Sequence, residues 1–209
     1  MQYLIDASVY VFRAYYSMPD DMVDDAGNPV NALYGFCRFL GDFMEQVTPE
    51  FVAVAFDESL SSSFRTEIYP EYKANRDPAP EELKRQFQQC RRYVRALGVM
   101  EIASPRYEAD DLIGTLVEHG RASGRPSTII SRDKDLTQLL GKDDVFWDFA
   151  GKGKLRYEEI RDSFGAQPGQ IADFLALAGD AVDNIKGVPG VGKKTAEKLL
   201  EHFGSCLLY

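Results

Sequence analysis

The sequence predicts an α/β fold in which a central, mainly parallel sheet is covered by helices on both faces. Short apolar segments recur along the first 150 residues, and longer amphipathic segments separate them. Strands that are apolar along their whole length are buried on both faces, which is typical of parallel sheets. Strands that alternate with helices need crossover connections, and such connections build a layered α/β domain.

Five short apolar segments are candidate strands. They lie at residues 3–5, 51–56, 99–103, 128–130 and 145–147. Four segments are candidate helices because their apolar residues recur at three- or four-residue spacing. They lie at residues 31–46, 80–97, 109–122 and 135–140. From Tyr157 onward the pattern is helical, and a glycine-rich segment at residues 187–192 interrupts it.

The length and composition predict a globular protein with one main core. A chain of 209 residues with 44% hydrophobic and 27% charged residues is unlike disordered, fibrous or membrane proteins. We expect an α/β core at residues 1–156 and a helical region at residues 157–209. No apolar run is long enough to cross a bilayer, and the start of the chain lacks the features of an export signal.

Three cysteines, Cys37, Cys90 and Cys206, are far apart and form no metal-binding spacing. They are expected to be reduced, and we predict a cytoplasmic protein. The formal net charge of −9 counts against a nucleic-acid partner, because phosphate binding depends on Lys and Arg. A sum hides distribution, however, and carboxylates gathered at one metal site would leave basic patches elsewhere.

Acidic residues follow four of the predicted strands. They are Asp6, Asp57, Glu108, Asp110, Asp111, Asp133 and Asp135. Each one taken alone is explained as a helix cap or a first-turn acid. Together they would meet at the carboxyl ends of parallel strands, where ligands of open α/β sheets bind. Because crowded carboxylates repel one another, this pattern predicts a cation, and oxygen ligands suit Mg²⁺ or Mn²⁺.

A second acidic pair, Asp180 and Asp183, lies beyond the predicted sheet. Residues three positions apart share one helical face, so both carboxylates could reach one ion. A solvated surface turn explains the same spacing, and spacing alone does not choose between them. If both groups bind metal, the sequence predicts two ions that act on a phosphodiester bond. His119 and His202 are isolated, so no zinc site is predicted.

Three motifs resemble the flap endonuclease (5′-3′ exonuclease) family. They are Tyr107-Glu-Ala-Asp-Asp-Leu-Ile-Gly-Thr115, Ser131-Arg-Asp-Lys-Asp135 and Leu177-Ala-Gly-Asp-Ala-Val-Asp-Asn-Ile-Lys-Gly-Val-Pro-Gly-Val-Gly192. The resemblance runs from Asp6 to the end of the chain. It is strongest to the N-terminal 5′ nuclease domains of bacterial DNA polymerase I and to their stand-alone relatives.

The resemblance implies a PIN-like sheet with flanking helices, a helical arch at about residues 58–80, and a DNA-binding helix-hairpin-helix at about residues 184–204. It divides the acids into two metal groups. The first group is Asp57, Glu108, Asp110 and Asp111, with Asp6 adjacent; the second is Asp133, Asp135, Asp180 and Asp183. Every acidic position of the family pattern holds an acid here, which favours an active enzyme with Asp57 and Asp135 among its catalytic residues.

The resemblance also gives roles to basic and aromatic residues of the arch. Lys73 would contact the scissile phosphate, with Arg76 close by, and Tyr72 would stack against a base of the 5′ strand. Arg13 matches another phosphate-contacting arginine. Without the resemblance, the residues around Lys73 are better explained as an ordinary solvated loop.

In the hairpin, glycines would permit a tight turn and close approach to a phosphate. These glycines are Gly187, Gly190 and Gly192. Free amides near Lys193, Lys194 and Thr195 would bind a duplex phosphate without reading its sequence. The resemblance implies K⁺ at the hairpin carbonyls, here those of Val188 and Val191.

We therefore expect a monomeric, metal-dependent nuclease that acts on DNA with 5′ flaps, nicks or 5′ ends in replication and repair, and on RNA–DNA hybrids. Two alternatives are a non-catalytic junction-binding module and a related ribonuclease. The chain departs from the family pattern at Ala7, where relatives have Gly, and at Tyr209, where relatives continue with further helices. The second departure puts affinity for the downstream duplex in question.

Overall fold

A computed structural model describes residues 1–58, 63–149, 151 and 153–206. Within these residues, six strands form one sheet in the order β3-β2-β1-β4-β5-β6. The strands are β1 (Gln2–Asp6), β2 (Val52–Asp57), β3 (Met100–Ser104), β4 (Ser127–Ile130), β5 (Val145–Asp148) and β6 (Gly153–Arg156). The first five are parallel, and β6 runs antiparallel to β5. The predicted mainly parallel sheet is confirmed, whereas β6 was not predicted.

Helices cover both faces of this sheet. They are α1 (Ala7–Ser17), α2 (Asn31–Val47), α3 (Phe64–Ile68), α4 (Glu81–Ala96), α5 (Ala109–Ala122), α6 (Ile160–Phe164), α7 (Ile171–Ala178) and α8 (Lys193–Phe203). Helix α1 was not predicted. The predicted helix at residues 135–140 is instead a 3₁₀ segment, Lys134–Leu139. The polar Ser131–Asp135 turn leaves too few residues for a full α-helix before β5.

Two apolar cores explain why the strands read as continuous apolar runs. Leu4 and Ile129 face one core, which contains residues of α5, α7 and α8. Their neighbours Ile5 and Ile130 face the other core, which contains residues of α1, α2 and α4. Successive residues of a strand point to opposite faces, so each strand must be apolar on both. The helices after residue 157 therefore share a core with the sheet.

The C-terminal helices α7 and α8 flank the glycine-rich hairpin at residues 187–192. The segment predicted as a helix-hairpin-helix, at about residues 184–204, contains the hairpin and α8, and α7 ends before it. Gly190 has a φ of 82°, a conformation that favours glycine. Gly187 has a different reason to be glycine, because its backbone packs directly against the C-terminal end of α7.

We expect Gly187→Ala to destabilise the fold by about 1–3 kcal/mol, the usual cost of overpacking. A Cβ atom at Gly187 would lie 2.4 Å from the Gly179 nitrogen and 2.7 Å from the Leu177 oxygen, and backbone atoms cannot move aside easily. Gly192→Ala is the control, since its Cβ would meet no atom within 4 Å and its φ is −91°. Urea unfolding measures both; equal stabilities would contradict the packing argument.

Two further sequence predictions concern the cysteines and the alanine that follows Asp6. The three cysteines are free among the described residues, as expected. Ala7 is the first residue of α1 and does not have a positive φ, so the replacement of the family's glycine carries no backbone cost here. No helix in the described ranges has the length and apolar character needed to span a membrane.

Candidate active site

The predicted acidic residues lie at the carboxyl ends of the parallel strands and in the segments beyond them. Strand β1 pairs with β2 on one side and β4 on the other, so the chain crosses over in opposite directions from this point. A crevice at such a reversal is where open α/β sheets bind ligands. Asp6 ends β1 and Asp57 ends β2, which brings these two carboxylates to the crevice.

Asp6 is the most buried of the predicted metal ligands, with 7% of its surface exposed. The hydroxyl of Ser131 donates a hydrogen bond of 2.8 Å to Asp6 Oδ2 and accepts one of 2.9 Å from the Asp133 amide. Burial, with repulsion from Asp57, raises the pKa of Asp6 to about 7. Ser131 therefore couples the two halves of the acidic edge, a role that the sequence did not suggest.

The start of α5 carries three acids of the predicted first metal group. Asp57 Oδ1 accepts a hydrogen bond of 2.8 Å from the Ala109 amide, so β2 and α5 are joined at this point. Asp111 Oδ2 accepts one of 3.0 Å from the Glu108 amide, which caps the helix. Burial raises the pKa of Asp110 to about 6, and the nearby carboxylates of Asp111 and Glu108 add to this increase.

The acids of the predicted second metal group lie around Asp135. Burial, followed by repulsion from Asp133, raises the pKa of Asp135 to about 7, and Asp180 and Asp183 contribute in the same direction. Its Oδ1 atom is buried and has no hydrogen-bond partner among the described residues. Asp180 and Asp183 thus lie close enough to influence Asp135, although they are more than 40 residues away in sequence.

Basic side chains from the predicted arch lie against these acids. Lys73 Nζ is 2.6 Å from Glu108 Oε2, and Arg76 is 2.5 Å from Asp183 Oδ1. Burial alone would raise the pKa of Glu108, but the charged partners, Lys73 first, more than offset it and lower the pKa. Lys73 has a positive φ of 53° and donates its amide to the Asp183 carbonyl at 3.0 Å.

Other bonds attach the base of the arch to the loop that carries Asp180 and Asp183. Asn184 Nδ2 donates to the Glu71 carbonyl at 2.7 Å, and Asn75 Nδ2 donates to the Ala181 carbonyl at 3.0 Å. Asp180 and Ile185 exchange two backbone hydrogen bonds, which close this loop. The two predicted metal groups are therefore connected through the base of the predicted arch as well as through the sheet.

Tyr72 lies inside the site, with 8% of its surface exposed. Its hydroxyl donates to Glu108 Oε2 at 3.1 Å, and Lys73 Nζ lies 4.8 Å from its ring centre. The predicted stacking of Tyr72 on a base does not match this arrangement, because the ring already packs within the protein. Residues 59–62 of the predicted arch lie outside the described residues.

Arg65 is not among the site residues predicted from the sequence. It lies on α3, and its guanidinium makes hydrogen bonds of 2.8 and 2.9 Å with the two Asp111 oxygens. A third bond of 3.0 Å goes to Asp110 Oδ2. Polar segments without periodicity give no signal for such a contact, since only the fold brings α3 to α5.

The donor set fits hard divalent cations, because it consists of carboxylate oxygens. Burial is the main cause of the raised pKa values of Asp6, Asp110 and Asp135, and nearby carboxylates add to it; a bound cation would favour the charged forms. Asp135 Oδ1 is buried and has no hydrogen-bond partner among the described residues. In the present side-chain arrangement, however, no three Asp, Glu, His or Cys side chains of the described residues converge into a ready metal site. Arg65 and Lys73 supply the positive charge to the first group.

Internal hydrogen bonds of the hairpin bear on which of its amides could bind a phosphate. The Thr195 amide donates to the Gly192 carbonyl at 3.0 Å, so the expectation of a free amide there was wrong. The helix start turns tightly enough to satisfy this donor internally, which leaves Lys193 and Lys194. The Val188 carbonyl accepts the Val191 amide at 3.0 Å within the hairpin turn.

Beside the hairpin lies a groove of about 640 Å³ between the first turn of α8 and α6. Its basic lining residues are Lys134, Arg161, Lys193, Lys194 and Lys198. Arg13, on α1, is exposed and lines a separate cavity of about 360 Å³ together with Arg38. Three acidic residues, Asp162, Glu197 and Glu201, also line the groove, so its five basic residues leave it with a modest positive balance.

The fold and its acid-lined crevice define a resolvase-like α/β nuclease domain followed by a small helical element. Residues 1–165 match the 5′-3′ exonuclease N-terminal resolvase-like domain, and residues 166–207 match the 5′-3′ exonuclease C-terminal SAM fold. The chain belongs to the 5′-3′ exonuclease family, a family of nucleases. The predicted family is thereby confirmed.

Curated relatives support this assignment. DNA polymerase I of Rhizobium leguminosarum is 37% identical over 97% of this chain, and the match covers 20% of that relative. The chain thus spans about a fifth of the length of the polymerases it matches. The 5′-3′ exonuclease of Aquifex aeolicus is 36% identical over 97% of this chain and 70% of its own length.

Solved structures show the same fold at lower identity. The phage T5 5′-exonuclease with bound zinc ions aligns over 98% of this chain and 76% of its own, with a TM-score of 0.79 and 22% identity. The flap endonuclease from Methanococcus jannaschii aligns over 96% of this chain and 70% of its own, with a TM-score of 0.64 and 13% identity.

Proposed function

We propose that this chain is a structure-selective 5′ nuclease that hydrolyses DNA phosphodiester bonds with two divalent cations. The observation that carries the proposal is the juxtaposition of both acidic groups with the cationic residues Lys73 and Arg76 at one edge of the sheet. Buried like charges destabilise a fold, so a group of them suggests a function that requires them. Raised carboxylate pKa values cluster at functional sites. Mg²⁺ or Mn²⁺ is the proposed cation, which suits carboxylate oxygens.

Each group of the site has a proposed task. Asp57, Glu108, Asp110 and Asp111, with Asp6 beneath them, would hold the first ion; Asp133, Asp135, Asp180 and Asp183 would hold the second. The ions would supply activation of water and neutralisation of charge on the leaving oxygen. Lys73 would stabilise the charge that develops on the scissile phosphate, and Arg76 would position the phosphate on its 5′ side.

The contacts of Lys73 determine how it would act. Its ammonium is 2.6 Å from Glu108, so a substrate phosphate must compete with that carboxylate for Lys73. An ion bound at Glu108 would weaken this ion pair and free the ammonium for the phosphate. The Lys73 ammonium would then contact the scissile phosphate only when both the ion and the substrate are bound.

The basic groove beside the hairpin is proposed to hold the duplex portion of the substrate. Lys193 and Lys194 stand at the N-terminus of the 11-residue helix α8, where the helix dipole also favours an anion. Arg13 would contact a phosphate nearer to the crevice. K⁺ bound by the Val188 and Val191 carbonyls is part of the proposal, as is action of a monomer in replication and repair in the cytoplasm.

The test of this proposal compares labelled 5′-flap, nicked-duplex, RNA–DNA hybrid and single-stranded substrates in Mg²⁺ and in Mn²⁺. We expect cutting near the junction of flap and nicked substrates, weaker cutting of the hybrid, and little cutting of the single strand. Flap binding without turnover in either metal would instead support a non-catalytic junction-binding module. A preference for RNA over every DNA substrate would support a ribonuclease.

We expect Lys194→Ala to weaken binding of duplex DNA to a similar extent for different sequences. If one phosphate contact is lost, the negative slope of log K against log salt concentration becomes shallower by about 1. Lys142→Ala is the charge-matched control, since Lys142 precedes β5 and lies at the opposite edge of the sheet. Fluorescence anisotropy at several salt concentrations gives both slopes, and an unchanged slope for Lys194→Ala would remove this residue from the duplex contact.

A further inference from the structure

Arg65 lies at the centre of the first acidic group. Its side chain is 26% exposed, and its three hydrogen bonds use both carboxylate oxygens of Asp111 and one oxygen of Asp110. Its guanidinium is also 3.7 Å from Glu108 Oε2. The paired bonds to Asp111 have the bidentate geometry in which arginine binds carboxylates most specifically.

These bonds use the same oxygen atoms that a divalent cation would need. Asp110 and Asp111 are turned toward Arg65, and Glu108 Oε2 already accepts hydrogen bonds from Tyr72 and Lys73. A guanidinium is too large to lie at these oxygens together with an ion and its ligand shell. Two positive charges within ~4 Å of each other also repel, and burial weakens the screening by water.

We propose that Arg65 and the first divalent cation are alternative occupants of the carboxylates of Asp110 and Asp111. In the metal-free protein the guanidinium neutralises these acids, and ion binding displaces it from the start of α5. The inference rests on the proposed metal site and assigns a competing residue to it. Arg65 thus lowers the affinity of the first ion, because the ion must displace the guanidinium from Asp110 and Asp111 in order to bind.

The surroundings of Arg65 allow this displacement without unfolding α3. The Phe64 amide donates to the Arg106 carbonyl at 3.0 Å, and the Phe64 ring packs against Tyr107 at 5.6 Å between ring centres. These contacts hold α3 beside the 104–107 segment independently of the Arg65 guanidinium. The aromatic rings of Phe64 and Tyr72 lie within 6 Å of the guanidinium and already form cation–π contacts with it, which can hold it when the carboxylates bind an ion.

The experiment titrates Mn²⁺ into the metal-free protein and measures the affinity of the first ion by calorimetry. Arg65→Gln is expected to bind it at least about fivefold more tightly than the unaltered chain, the lower end of typical coupling between sites. Arg106→Gln is the matched control, because the Arg106 guanidinium pairs with the Glu67 carboxylate at 3.8 Å, away from Asp110 and Asp111, and its side chain is 63% exposed. Equal or weaker Mn²⁺ binding by Arg65→Gln would overturn the proposal.

A second measurement follows Arg65 in the unaltered chain. NMR of ¹⁵N-arginine-labelled protein, with the Arg65 signal identified by its loss in Arg65→Gln, is expected to show a hydrogen-bonded guanidinium that is released on addition of Mg²⁺. A signal that does not change at saturating Mg²⁺ would also overturn the proposal. If the unaltered chain binds no divalent ion and cuts no DNA, the proposed function itself fails, which is a different outcome.

Discussion

Replacing Asp135 by Asn is expected to lower the rate of flap cleavage by about 100-fold or more while leaving the fold intact. The change keeps the shape of the side chain and removes the negative charge that would hold the second ion. The loss of one preorganised electrostatic group in an active site typically costs about 10²–10³ in rate. Single-turnover cleavage of a labelled 5′ flap in Mg²⁺ measures the effect.

The stability of Asp135→Asn shows whether Asp135 serves function or holds the fold together. Burial and Asp133 raise the pKa of Asp135 to about 7, so the charged form is disfavoured in the folded protein. A carboxyl with a raised pKa opposes folding as pH rises from its unfolded pKa toward about 7, and this cost persists above that pH. Asp135→Asn should therefore be at least as stable as the unaltered chain at pH 8 in a chelating buffer.

Asp143→Asn is the control for this pair of measurements, because Asp143 is an exposed acid at the opposite edge of the sheet. It should change neither cleavage nor stability. If Asp135→Asn cuts normally, the second metal group is wrongly assigned. If it is inactive but also strongly destabilised, Asp135 is a structural residue.

Replacing Lys73 by Gln is expected to reduce kcat by about 100-fold with a much smaller change in KM. Its ammonium lies 2.6 Å from Glu108, one of the proposed ligands of the first ion, where it would stabilise charge in the transition state. Glutamine keeps a polar chain of similar length but has no charge. Because this Lys has a positive φ, a replacement with a straight side chain disturbs the backbone less than a β-branched one.

Lys84→Gln controls for the loss of a surface charge, because Lys84 forms an exposed ion pair with Glu81 at the start of α4. Full steady-state curves on the flap substrate give kcat and KM for each variant. A rise in KM with an unchanged kcat would assign Lys73 to substrate binding alone. An unchanged kcat and KM would contradict any role for this ammonium.

The sheet was predictable because its physical demands act on each strand separately. Leu4 and Ile5 belong to different cores, so the two faces of β1 both require apolar residues. Strand β6 has one apolar residue, Leu155, and lies at the sheet edge, where a partly exposed strand does not need apolar residues on both faces. It therefore had no apolar run by which it could be predicted. Helix α1 was not predicted because it begins directly after β1, and no turn residue marks the change from a strand pattern to a helix pattern.

The candidate site was predictable to the extent that strand ends locate it. Asp6 and Asp57 follow from the sheet, whereas Lys73 and Arg76 lie in a polar segment that by itself favours a solvated loop. Their contacts with Glu108 and Asp183 depend on a fold that joins residues more than 30 positions apart. Arg65 and Ser131 were missed for the same reason, since their partners are distant in sequence.

The most direct test of the central claim is cleavage of a 5′-labelled flap in Mg²⁺, repeated after addition of a chelator and again after Mg²⁺ is restored. We expect cutting that stops on chelation, returns with Mg²⁺, and leaves a 5′-phosphate on the remaining strand. Cutting that continues at the same rate in excess chelator would contradict a reaction that depends on divalent ions held by these carboxylates.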